Sequence, residues 1–384
     1  MARTGRSLRL TVLLTVHFLK EAEVRNLLAV LVAFGLAAVS IAAQAPSAGT
    51  RAGTANAAGA WKVPRTTDGH PDLQGVWSNN AVTPTERPTQ WKDKRSLTDA
   101  ELQELKATVA RYVSDGGDAV FENFVQLALD AKDKGAYKQI SYDRATGNYN
   151  EFWMAGREWD SRTSLITDPP SGLMPPLTPE AQAKRDRARG AQAQVSSENG
   201  PSGRADGPED RGLSERCITF GAPRMGAAYN SYFQIVQSPE AVAILQETIH
   251  DARIVPIDGR PHLPQNVRQV LGDPRGHWEG DTLVVETTNY LPTSAYSGST
   301  ENVRVVERYT RVSPDYINWE VTAIDPATWT QPWTLMIRLK RVNEQLYEYA
   351  CHEGNYALPG ILAGARAAEK AAAETGTKGT KGSK

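Results

Sequence analysis

The sequence predicts a mainly β protein with an α-helical insertion, built on an antiparallel meander that closes into a barrel, with a β-sandwich as the alternative. Three observations predict it. From residue 215 onward, short runs of alternating apolar and polar residues follow one another, separated by Gly, Pro, Asn and Asp. Within 97–134 the apolar period changes to that of a helix. The 384 residues suit one large β domain with insertions as well as two domains.

The elements follow in chain order. Residues 27–41, "LLAVLVAFGLAAVSI", are uncharged and apolar, with Arg25 before them and small residues after. Residues 1–45 therefore read as a signal peptide. The cut falls after Ala45 in an A-x-A setting, or after Ala42 with Ser40 at −3. The prefix 1–23 is foreign to such a segment, and translation starting at Val24 explains it. The rival is an uncleaved anchor, for which the run is marginal against the about 20 residues that a span needs. Residues 46–60 are a flexible lead-in.

A single domain is expected over 61–362. "PDLQGVWS" opens it as a short strand. In the helical insertion, Thr98 and Glu101 form a capping box ahead of Leu102, Leu105 and Val109. Gly116 and Gly117 end that helix. Phe121, Phe124, Val125, Leu127, Ala128 and Ala131 make the apolar side of a second one. "DPPSGLMPP" is an ordered loop, since each proline fixes φ and removes a donor. A short helix starts at Thr178 with Pro179 in its first position, and 196–212 reads as a mobile loop. Eight strands follow, from "NSYFQIVQS" through "LYEYACH", and "HWEGDTLVV" carries a hairpin turn. The tail, 363–384, is low in complexity, with a helix-competent Ala-rich half and a disordered Gly/Lys half.

The formal charge is −1, from 43 basic and 44 acidic residues, so no global field recruits nucleic acid or acidic lipid. No nucleotide, metal or α/β-hydrolase motif occurs, and no cofactor or metal site is expected. The mature form carries no expected membrane span. Two cysteines, Cys217 and Cys351, read in an oxidising compartment either as one disulfide or as two buried thiols. A disulfide would contribute ~4–5 kcal/mol in the chain-entropy model.

"YACHEGNY" places Cys351, His352 and Glu353 side by side. An extended strand sends neighbours to opposite faces, so the three do not form one site. His352 stays a pocket candidate whose partners come from other strands. "ETIHDARIVPIDGRPHLP" is the densest polar stretch. It reads as two charged hairpin loops, or as a pocket rim where Arg260 holds an anion or carbonyl and His262 moves a proton. Glu286, Glu307, Glu320 and Arg338 interrupt apolar strands. Facing water they are solvated, whereas an inward carboxylate needs a partner such as Arg304, Arg308 or Arg338.

Two resemblances add to this reading. "LQGVW" contains the G-x-W pattern opening the first lipocalin strand, and a meander follows it. The chain in this respect looks like a lipocalin-like barrel. That resemblance implies an apolar pocket, with Trp77, Trp319, Trp329, Trp333, Tyr347 and Tyr349 lining it or filling the core. The runs "PDLQGVW", "HDARIVPIDGRPHLP", "GHWEGDTLVVETTNY", "VVERYTR" and "YEYACHEGNYAL" resemble a large group of exported bacterial proteins without an assigned activity. That resemblance implies export and one folded unit.

The expected function is a periplasmic or secreted protein that binds an apolar or aromatic small molecule. The ligand-binding candidates are Arg253, Asp258, Arg260, Trp319, Trp333, Tyr347 and Tyr349. The alternative is a cofactor-independent hydrolase, lyase or isomerase using His262, His352, Glu286 and Glu307. The sequence leaves the oligomeric state open.

Overall fold

The structure is a computed structural model that describes residues 61–112, 124–135, 156–195, 205–224 and 230–379. The chain divides into Met1–Gly59 and Ala60–Lys384, and every element below belongs to the second unit. The expected signal peptide and lead-in lie outside the described residues, as do Gly116, Gly117, Phe121 and the first part of the 196–212 loop. Among the described residues no helix is long and apolar enough to cross a membrane.

Ten strands make one antiparallel sheet. They are β1 (Gly75–Ser78), β2 (Ile166–Asp168), β3 (Tyr232–Gln237), β4 (Ala241–Gln246), β5 (Ala252–Pro256), β6 (Asp273–Glu279), β7 (Thr282–Thr288), β8 (Arg304–Arg311), β9 (Tyr316–Ile324) and β10 (Trp333–Val342). The order is β5-β4-β3-β1-β10-β9-β8-β7-β6. Two meanders, β3–β5 and β6–β10, are joined by β1, which pairs with both β3 and β10. β2 pairs with the first part of β10, where β1 does not reach.

The ladder ends at β5 and β6, and no hydrogen-bonded register joins these two strands. Every step between them is antiparallel and the steps are even in number, so they run in the same direction. The chain must therefore return along the seam between them, which is the work of residues 257–272. The two ends nevertheless pack side by side. A Cβ on Gly276 of β6 would come within 2.8 Å of Val255 Cγ1 and 2.9 Å of Ile257 Cγ2, so only glycine fits this approach.

Strict alternation puts one side chain in two into a closed core. Trp77, Phe233, Ile244, Leu283, Tyr309, Trp319 and Leu335 are each at most 1% exposed. Full burial of one such side chain contributes about 1.5–3 kcal/mol. The outer face of the second meander is polar, as the pairs Thr282–Thr310 and Thr322–Thr334 show at 2.7 and 2.8 Å.

The helices lie outside the sheet. In the insertion, α1 (Asp99–Tyr112) and α2 (Phe124–Lys134) build a satellite core of Val82, Leu97, Leu105, Val109, Val125 and Ala128. The capping box forms: Thr98 N–H donates to Glu101 Oε2 at 2.8 Å, and Glu101 N–H to Thr98 Oγ1 at 3.3 Å. α3 (Pro179–Val195) starts as expected, with Ala181 N–H donating to Thr178 Oγ1 at 3.2 Å.

Three expectations change. "LYEYACH" is not a strand. β10 is already paired with β9 on one edge and with β1 and β2 on the other, so no edge is left for it. Strand alternation therefore does not hold Cys351 and His352 on opposite faces. Within the 196–212 loop, the described end carries a turn, Pro208–Asp210, and Arg366 donates to the Ala205 carbonyl at 3.0 Å. The tail helix α4 (Ala357–Gly379) starts before residue 363 and continues into the Gly/Lys half.

Candidate functional site

The core contains an ion pair. Arg253 on β5 and Glu307 on β8 are both buried, at 3% and 0% side-chain exposure. Their guanidinium and carboxylate bond twice, once through Arg253 Nη1 and Glu307 Oε2, and once through Nη2 and Oε1 at 3.0 Å. Glu307 Oε1 also accepts from Tyr309 Oη at 2.6 Å and Trp319 Nε1 at 3.1 Å. Burial works against charge on Arg253, but the adjacent Glu307 carboxylate outweighs it and holds the guanidinium protonated. Burial first, then Glu307, pushes the Tyr309, Tyr290 and Tyr296 hydroxyls well above the usual phenol range. This network is closed to solvent and spends its polar groups on one another. It holds the seam strand β5 to the far meander, and it leaves no open ligand pocket among these side chains.

A second polar cluster sits on the outer side of the seam. Asp273, at the start of β6, is 2% exposed. Its Oδ2 accepts from Leu263 N–H at 2.9 Å and lies 2.9 Å from His262 Nδ1, while Oδ1 meets Arg275 Nη1 at 2.6 Å. The linker is pinned further by Asn289 Nδ2, which donates to the carbonyls of Leu263 and Pro264 at 3.0 Å. Gly272 lets the linker turn into β6, because its φ is +72° and a Cβ would meet Thr287 Cγ2 at 2.6 Å. With Nδ1–H donated to Asp273, His262 presents Nε2 to Glu286 Oε1, 3.6 Å away. Glu286 is in turn held by Arg304 at 2.7 Å. The arrangement is a histidine oriented by a buried carboxylate, which is the geometry of a proton-transfer group.

Other sequence candidates scatter. Asp258 and Arg260 pair with each other on an exposed turn. Trp319 and Trp333 are core residues, with Trp333 packed against Tyr296 and Trp329. Tyr347 is 71% exposed and Tyr349 meets Phe220 edge-on. Both lie on a strap, residues 343–356, that runs from β10 to the 213–224 loop. Cys217 and Cys351 form a disulfide with a Cα separation of 5.6 Å, which anchors the strap. The strap also donates Tyr347 N–H to buried Glu247 at 3.1 Å. His352 is exposed beside the disulfide.

The open spaces are elsewhere. A cleft of about 940 Å³ lies between α3, the 174–177 loop and the turns at 297–300 and 327–329. Met174, Pro175, Leu177, Ala181 and Trp329 give it an apolar lining, with Lys184 and Arg185 among its charged members. A smaller cavity of about 410 Å³ lies between the 213–224 loop and residues 293–297. The sequence signal for the cleft was "SGLMPPLTPEA", read only as an ordered loop and a helix start. Asp273 was missed as the partner of His262, although it opens "DPRGHWE". Comparison with family models, curated proteins and solved structures finds no match to this chain.

Proposed function

We propose that the protein is an exported, periplasmic or secreted small-molecule-binding protein on a lipocalin-like barrel scaffold. Its ligand, apolar or aromatic, occupies the cleft beside α3. The observation that carries this reading is the 940 Å³ cleft with Trp329, Met174 and Leu177 in its wall. Its size is that of ligand sites, and its apolar wall stands beside four charged residues, Glu86, Glu180, Lys184 and Arg185. The approach of β5 to β6 supports near-closure of the barrel, and the packed core moves the ligand outside it. The disulfide supports an oxidising compartment. Nile red titrated into the protein should show saturable fluorescence enhancement that Ala181→Trp abolishes. Absence of saturation, or an unchanged response in the variant, sinks the reading.

A second reading rests on the His262–Asp273 pair. Its Nε2 would serve as acid or base in a hydrolase, lyase or isomerase reaction without a cofactor. Turnover of aryl esters that His262→Gln removes at unchanged stability supports it. Equal rates in both proteins count against it.

A further inference from the structure

We infer that the cleft beside α3 selects an amphipathic anion, a single acidic head on an apolar or aromatic body, and that Lys184 and Arg185 receive the head. The inference rests on the reading of the cleft above and names its ligand class. The sequence of α3 explains why a space exists there. Its residues in the cleft wall are Glu180, Ala181, Lys184, Arg185 and Ala188, spaced as one helical face. A helix packed on a core carries large apolar side chains on such a face, whereas this one carries alanines. The opposite wall is firm. Met174 and Leu177 pack against the main core, and Trp329 meets Trp333 edge-on at 5.6 Å. The chain on that side is laced together, with Thr178 N–H donating to the Thr328 carbonyl and Thr330 N–H to the Pro176 carbonyl, each at 3.0 Å. An apolar body therefore meets a fixed surface on one side and small side chains on the other.

The cleft wall holds two acids and two bases, but they are not equally committed. Glu86 Oε1 accepts from Met174 N–H at 2.7 Å. Glu180 lies in the first turn of α3, where the positive end of the helix dipole stabilises a carboxylate. Lys184 and Arg185 lie beyond that turn and short of the last one, where the dipole would hold a cation. Among the described residues neither makes a hydrogen bond or an ion pair, and Glu180, one turn before Lys184, pairs with neither. Asp186, next to Arg185, takes its bond from Gln182 at 2.8 Å. Two adjacent cations without a counter-charge are the chemistry left over for a ligand. A guanidinium offers a carboxylate two parallel N–H donors, and the ammonium adds a point charge. Both side chains stand in solvent, so their contribution is modest and falls with salt.

The test titrates three probes with one body, phenylhexanoate, phenylhexanol and phenylhexylammonium, calorimetrically at low and at high salt. The native protein should bind the acid roughly five-fold more tightly than the alcohol, and the amine most weakly. High salt should shrink the advantage of the acid. Lys184→Gln combined with Arg185→Gln should bring the acid down to the affinity of the alcohol. Arg187→Gln removes a positive charge from α3 outside the cleft wall and should keep the preference. Equal affinity of the native protein for acid and alcohol overturns the inference and leaves the cleft reading standing. So does tightest binding of the amine, which would assign the head to Glu86 or Glu180. A preference that Arg187→Gln lowers as far as the double variant does also overturns it, because the general charge of the helix would then be the cause. Failure of all three probes to bind overturns the inference and the cleft reading together.

Discussion

Glu286 and Glu307 stand on neighbouring strands, one step apart in register, and meet opposite fates. Glu286 pairs with Val306 across the ladder and Glu307 with Val285, so they point to opposite faces. Outside, Glu286 is 33% exposed and shares Arg304 and His262 with water. Inside, Glu307 has no exposure and takes its cation from β5, across the seam. The same residue type thus solvates one face and ties the sheet's two ends together on the other. Facing direction decides between those roles, and strand periodicity sets it.

Five single substitutions break or sharpen this contrast. The largest effect should come from Arg253→Met or Glu307→Leu alone, each leaving a buried charge unpaired at a cost of about 3–5 kcal/mol in urea unfolding. The double variant should recover most of that loss. If it is as unstable as the singles, the pair contributes more than the removal of its own desolvation problem. Asp273→Asn should cost about 1–3 kcal/mol, because a buried acceptor serving Leu263, His262 and Arg275 loses its charge.

Glu247 tests the contrast from a third side. It is 3% exposed, and burial pushes its carboxyl above the usual range against the hydrogen bonds from Tyr347 and Asn230 that act to lower it. A raised folded-state value means that the folded protein favours the neutral form. Stability from this group is therefore full below the unfolded value and falls as pH rises through the folded one. Glu247→Gln should raise stability at neutral pH by about 1 kcal/mol, and the gain should vanish toward pH 4. A gain of the same size at both pH values would contradict this account. The smallest effect belongs to Arg304→Ala, below about 1 kcal/mol and smaller still in high salt, read from the same unfolding curves.

Alternation in "VRVVERYT" and "INWEVTA" was enough to place β8 and β9, and the capping box placed α1. β6 was harder to read, because Pro274 and Gly276 in "DPRGHWE" hide a strand. Glu307 was singled out as a carboxylate in need of a cation, with Arg304, Arg308 and Arg338 as candidates. Its partner is Arg253, 54 residues away. Partners across a curled sheet depend on which strands end up as its two edges, and no local pattern records that. The same limit applies to the α3 cleft, whose walls come from four separated segments. His262 stood out in "DGRPH", but its orienting carboxylate depended on the linker folding back along the seam.

The Cys217–Cys351 tie has a mechanical consequence. The bonded residues are 134 apart, and the covalent ring they close contains β3 to β10. β1 and β2 lie outside it, although β1 is the strand that joins the two meanders. A pull applied at Trp61 and in α4 is carried through the sulfur bridge and bypasses the ring. Tension reaches β1 and β2 first and peels them from β10, while the eight ring strands bear no load. Reduction of the bridge would release roughly 450 Å of further chain, at about 3.4 Å per residue, and route the load through the whole sheet. Stretched between two anchors in an oxidising medium, the molecule would extend only in the chain outside the ring and then stop at the bridge.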